Sequence, residues 1–221
     1  MKRSIKLVIF FGSLILVGFL FYLFKLHSLA LEGNKIFEER CLVVNPPLIA
    51  YKDAFLSFAN AVKNPKEFTS EQAANYYVSY LKGIREYSPK EDEWLKTQSA
   101  YINRWDFQLI EPWYVKEAGS YQLQMYKGYR DEAQASVDAM DGKISNDEFE
   151  KRFAEARDKR NKYTDLYNGV FDKAMPIHDW RKIFGSVPVP FGCNDANLII
   201  PDTTGALDEA PAPVKDPGIT G

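Results

Sequence analysis

Histidine and cysteine are scarce in this 221-residue chain, with two of each. No Glu-x-x-His, His-Glu-x-x-His or Cys-x-x-Cys occurs, which argues against structural zinc and di-iron carboxylate chemistry. No glycine-rich phosphate loop is present. No stretch alternates apolar and polar residues as a half-buried strand does, so nothing points to a sheet. There is no excess of basic charge either. Three of the 28 basic residues precede Leu7, and the remaining 25 face 30 acidic ones, a net charge near −5. That balance gives no reason to expect nucleic-acid binding. No cofactor is implied by any motif, and no catalytic constellation stands out. His178 and Asp179 are adjacent, and adjacent residues rarely form an orienting pair, so His178 is read as a hydrogen-bonding residue.

What the chain does have is an apolar run. Leu7 to Phe24 carries no charge over eighteen residues. Backbone polar groups in hydrocarbon need internal partners, so such a run is stable there only as a helix. At about 1.5 Å per residue it spans roughly 27 Å, close to the bilayer core. Residues 1–6 hold Lys2, Arg3 and Lys6 in a short flank, a density of positive charge that places the N-terminus in the cytoplasm. Everything beyond Phe24 is then extracytoplasmic, and the expected location is the inner (plasma) membrane. Ser28-Leu29-Ala30 would suit a signal peptidase, but cleaved signals have shorter apolar cores, which favours an uncleaved anchor.

Residues 25–47 read as a juxtamembrane stalk, broken at Gly33-Asn34 and stopped at Asn45-Pro46-Pro47. Residues 48–193 read as one helical domain. Ile49, Phe55, Phe58 and Val62 share a helix face that ends at Asn64-Pro65. Thr69-Ser70-Glu71-Gln72 is a capping box that opens the next helix. Ser88-Pro89-Lys90-Glu91 gives a further start signal, with Pro at the first helical position, and Trp94, Gln98, Tyr101, Ile102, Trp105 and Leu109 then fall on one side. Glu111-Pro112 breaks or kinks that helix. Val115, Ala118, Gln122, Tyr126, Tyr129, Ala133 and Val137 begin a long helical hairpin, turned at Asp141-Gly142 and restarted by Ser145-Asn146-Asp147-Glu148. The charged stretch from Glu150 to Arg160 reads as a solvated face. Residues 177–193 read as an extended arm after Met175-Pro176, and 201–221 as a disordered tail rich in Pro, Gly and Asp. The fold class expected is all-α: a transmembrane helix followed by an extracytoplasmic bundle of four to five helices with a long C-terminal hairpin.

Asp141 to Phe149 resembles the second half of an EF-hand loop and the Gly-x-Ile-Ser/Thr-x-x-Glu-Phe turns of small bacterial helical hairpins. With Gly142 at the sixth position of a calcium loop, the first and third ligand positions fall on Val137 and Ala139, which supply no side-chain oxygen. Calcium is therefore not expected.

Two candidate sites remain. Cys41 and Cys193 flank the helical core, which suggests one disulfide in an oxidising compartment; two unrelated buried thiols are the alternative. Trp105, Phe107, Trp113 and Tyr114 cluster around Pro112, either as a contact surface for a partner or as filler for the gap a kink leaves. The function expected is that of a non-enzymatic, single-pass accessory or assembly subunit whose exported domain docks onto other envelope or membrane proteins. The alternative is an extracytoplasmic module with a lipid, glycan or small apolar ligand in a pocket lined by Tyr76, Tyr80, Tyr101 or Trp105.

Overall fold

A computed structural model describes the backbone of residues 2–183 and the side chains of residues 6–170. The regular elements among the described residues are all helices, with no strand among them. Helix α1 (Lys2–Glu39) passes through a π-helical turn (Arg40–Val44) into α2 (Asn45–Lys63). Then follow α3 (Ser70–Ile102), a short α4 (Trp105–Ile110), α5 (Trp113–Met140) and α6 (Asn146–Ile183). Helix α2 packs along α3 and α5 along α6, and α3 against α5 joins the two pairs.

The stalk break expected at Gly33-Asn34 does not occur, since α1 runs straight through both. Gly33 instead lets α3 approach: a Cβ there would lie 2.8 Å from the Tyr101 hydroxyl oxygen. The paired prolines do not stop the chain either. Asn45 N–H bonds to the Arg40 carbonyl, five residues back, and Pro46 and Pro47 open α2. A proline ring ordinarily collides with the carbonyl four residues earlier. The widened π turn relieves that collision and lets the helix continue.

The capping box at Thr69 forms in both directions, with Gln72 N–H on Thr69 Oγ1 at 3.1 Å and Thr69 N–H on Gln72 Oε1 at 2.8 Å. The second start signal is overruled. Pro89 lies inside α3, because tertiary partners claim the residues that would have capped a new helix. Ser88 donates to Gln134 on α5 and Glu91 turns into the core, while Lys90 pairs with Glu86 one turn back on α3 itself. Helix α3 instead ends at Ile102, and the restart at Trp105 rotates Trp105 and Leu109 to the outside, away from the buried Trp94, Gln98, Tyr101 and Ile102.

The break at Pro112 forms as expected, with Pro112 as N-cap of α5. Gly142 takes a left-handed φ of +69° in the α5–α6 turn, a conformation that suits glycine. Ser145 Oγ accepts from Glu148 N–H at 3.2 Å. Helix α6 does not end at Met175-Pro176 but continues to Ile183, so the first seven residues of the expected arm are helical. The rest of the arm, Cys193 and the 201–221 tail lie outside the described residues.

The side chains of the apolar run are exposed down to its last turn. The core begins at Leu26 and takes in Leu29, Ala30, Ile36 and Phe37 from α1, then Val44 and Leu48, Ile84, Tyr87, Trp94 and Leu95, and Tyr114, Val115, Ala118, Leu123 and Ala133. Two close crossings need glycine. A Cβ on Gly83 would lie 2.7 Å from Tyr51 Cβ, and one on Gly128 would lie 2.7 Å from Arg160 Cβ.

Candidate functional site

Two features are built with care: a charged network inside the domain, and an aromatic edge beside the apolar helix.

The π turn aims Arg40 into the core, where it is fully buried. Its guanidinium pairs with Glu91 at 2.9 Å, donates to Asn45 Oδ1, and sits 3.7 Å from the ring centroid of Tyr126 and 4.9 Å from that of Trp94. Charge buried this deeply persists only with such compensation. Burial pushes the Glu91 carboxyl up to about 7, against the lowering pull of Arg40. A second pair lies between the hairpin helices. Arg160 reaches Glu132 at 2.8 Å, and both are almost fully buried. The guanidinium of Arg160 and the ammonium of Lys52 both lie near the Tyr129 ring, at 5.0 and 4.7 Å. Glu132 also rises to about 7, through burial first, with Arg160 and Lys52 opposing. The expectation that the whole Glu150–Arg160 face is solvated therefore fails at Arg160. Gly128 brings α5 close enough to cover it.

Neither pair was legible in the sequence. Arg40 sat in an expected stalk, Glu91 in an expected cap, and Arg160 among alternating charges. A helix surface that carries both signs looks alike whether water or another helix covers it.

These pairs are poor candidates for acid–base work. Each carboxylate is buried and held by an arginine, and each arginine lies against an aromatic ring. Among the described residues, no group of three His, Cys, Asp or Glu side chains comes together as a metal site. In the α5–α6 turn the acidic groups face cations. Asp141 takes Arg85 and Lys143, both at 2.9 Å, and Glu148 takes Arg152 at 2.7 Å. Lys143 and Arg85 hold the Asp141 carboxyl below its ordinary range.

The four aromatics around Pro112 separate into two kinds. Phe107 and Tyr114 are buried, and Phe107 meets Tyr101 edge-on at 5.0 Å. Trp105 and Trp113 are 75% and 51% exposed, and Leu109 is 75% exposed one turn beyond Trp105. So the cluster is half core and half surface. Helix α4 is fixed at both ends against α1: Arg104 bridges Glu32 and Asp106, and the Tyr22 hydroxyl donates to the Ile110 carbonyl at 3.3 Å. The aromatics of the alternative pocket do not converge. Tyr80 packs with Tyr51 and Phe55, Tyr76 with Phe68, Tyr101 donates to the Leu29 carbonyl at 2.7 Å, and Trp105 faces out.

Cys41 is buried on the π turn beside Arg40, while His178 and Asp179 lie on the part of α6 whose side chains are outside the described residues. Comparison with family models, with curated proteins and with solved structures gives no match.

Proposed function

We propose that this chain is a non-enzymatic, single-pass membrane protein: an accessory or assembly subunit whose helical domain docks onto other envelope or membrane proteins. Residues 7–24 span the bilayer, the basic flank keeps the N-terminus in the cytoplasm, and the domain stands on the far side. The observation that carries the reading is the unbroken passage from apolar helix to domain core. One helix exposes Leu7 to Leu20 on all sides and then buries Leu26, Leu29 and Ala30. A soluble domain gains nothing by extending an apolar helix into water. The same passage favours an uncleaved anchor, since cutting after Ala30 would remove three core side chains and the carbonyl that Tyr101 bonds.

A continuous helical path joins the apolar helix to the domain. That suits a protein that meets partners anchored in the same membrane, and it adds little to an enzyme acting on diffusing substrates. Affinity purification from native membranes in gentle detergent, with crosslinking beforehand, should recover a defined membrane or envelope partner. A lone monomer on sizing, with no crosslinked species, would end this reading. Liberation of the unprocessed chain by alkaline carbonate, or a cytosolic C-terminal tag, would end the anchor itself.

A further inference from the structure

We infer that the α4–α5 corner is a second membrane contact, in which Trp105, Leu109 and Trp113 sit in the headgroup layer around the emerging helix; this rests on residues 7–24 spanning the membrane. The heights follow from the anchor points. Tyr22 lies inside the apolar run, about 3 Å short of its end at Phe24, and Glu32 lies about 12 Å beyond that end. Arg104 at the top of α4 holds Glu32, and Ile110 at the bottom accepts from Tyr22. Helix α4 therefore descends along α1, its six residues covering roughly 9 Å of the about 15 Å between the two anchors and the anchoring side chains the rest, through the headgroup layer to the edge of the hydrocarbon. The chain turns there at Glu111-Pro112 and climbs again as α5.

Side chains pointing outward from such a corner face lipid, and the residues found there suit that place. Trp105 and Leu109 are four apart on one face of α4, and Trp113 opens α5. Trp has an apolar body and one N–H donor, which is why it collects at membrane–water boundaries. Two of the nearby charged groups lie on the upper side, and Glu111, at the turn itself, is buried in the protein away from lipid. Arg104 is at the top of α4, and Lys116, one turn above Trp113, donates to the Gln108 carbonyl at 2.9 Å. On a surface in bulk water, two tryptophans and a leucine this exposed would form an apolar patch with no cover. Continuity with the span supplies the cover, since the same bilayer that surrounds Phe24 reaches the corner.

The test is depth-dependent quenching of the full chain reconstituted singly into nanodiscs. Lipids brominated near the headgroup should quench the wild type, and the Trp105→Phe/Trp113→Phe variant should lose most of that quenching. Aqueous iodide should act weakly on the same pair. Circular dichroism of the variant checks that exposed Trp-to-Phe changes leave the helices formed. Iodide quenching of the pair without lipid quenching would place the corner in water and overturn the inference. Shielding from both quenchers would mean that protein covers the edge, and would overturn it equally. A chain that fails to enter the discs would refute the span itself, a separate failure visible before any quenching is measured.

Discussion

Replacing Arg40 with Met tests whether a buried charge pair holds the junction together. The guanidinium has no exposure, and neither has Glu91, 2.9 Å away. Met keeps the length of the stem but removes the positive charge and the donors to Asn45 and Glu91. At pH 8 the variant leaves Glu91 in the core with no cation, so the carboxyl must either stay charged and unpaired or take up a proton, and either outcome costs stability. Breaking a buried pair from one side costs about 3–5 kcal/mol. For a domain of this size each kcal/mol lowers the melting temperature by roughly 2–4 °C, so a drop on the order of 10 °C is expected. The loss should shrink at pH 5, because a carboxyl that already titrates near 7 becomes neutral there. Arg40→Met combined with Glu91→Leu should recover most of the stability, since no charge then remains to be buried. Thermal melts followed by circular dichroism in mild detergent at the two pH values give all three comparisons. A loss under about 1 kcal/mol at pH 8, in the range of exposed ion pairs, would refute the burial of this pair and with it the path of the helix through the π turn.

Other expectations follow from the same geometry. Glu91 and Glu132 bind their protons more tightly when folded than at the ordinary 4.5, so their contribution to stability is complete below that value and is lost as pH rises through about 7. Urea midpoints of the wild type should therefore fall between pH 5 and 8, and a flat profile would contradict the burial of both. Gly83→Ala should destabilise by about 1–3 kcal/mol despite better helix propensity, because the added carbon meets the Tyr51 backbone at 3.0 Å. Gly169→Ala, which meets nothing within 4 Å, should stabilise by up to about 1 kcal/mol in the same urea assay. If Cys41 and Cys193 are joined, reduction should lower the melting temperature and change mobility on denaturing gels; loop closure of this length is worth about 5 kcal/mol. Equal mobility, with both thiols alkylated in denaturant, would rule the bond out.

The sequence by itself determined the helical class, the long apolar N-terminal helix, the Thr69 cap, the Pro112 break and the Asp141-Gly142 turn. These are written in short-range chemistry: hydrophobic period, side-chain caps and backbone preference act within a few residues. Three proline signals behaved differently. Pro112 breaks the chain and becomes the N-cap of α5, Pro46 and Pro47 are absorbed by a π turn that delivers Arg40 to Glu91, and Pro89 is held in α3 by what Ser88 and Glu91 gain from α5 and from Arg40. Only the tertiary structure could decide which charges are buried, because Glu91, Glu132 and Arg160 each occupy a helix position that water or a neighbouring helix could equally have covered. It also split the aromatic cluster. A two-residue interruption after Ile102 turned Trp105 and Leu109 outward while Phe107 and Tyr114 stayed in, and the Tyr22–Ile110 bond fixed the height at which the exposed pair stands. Rotation and height of this kind are properties of how helices dock, and no local pattern carries them.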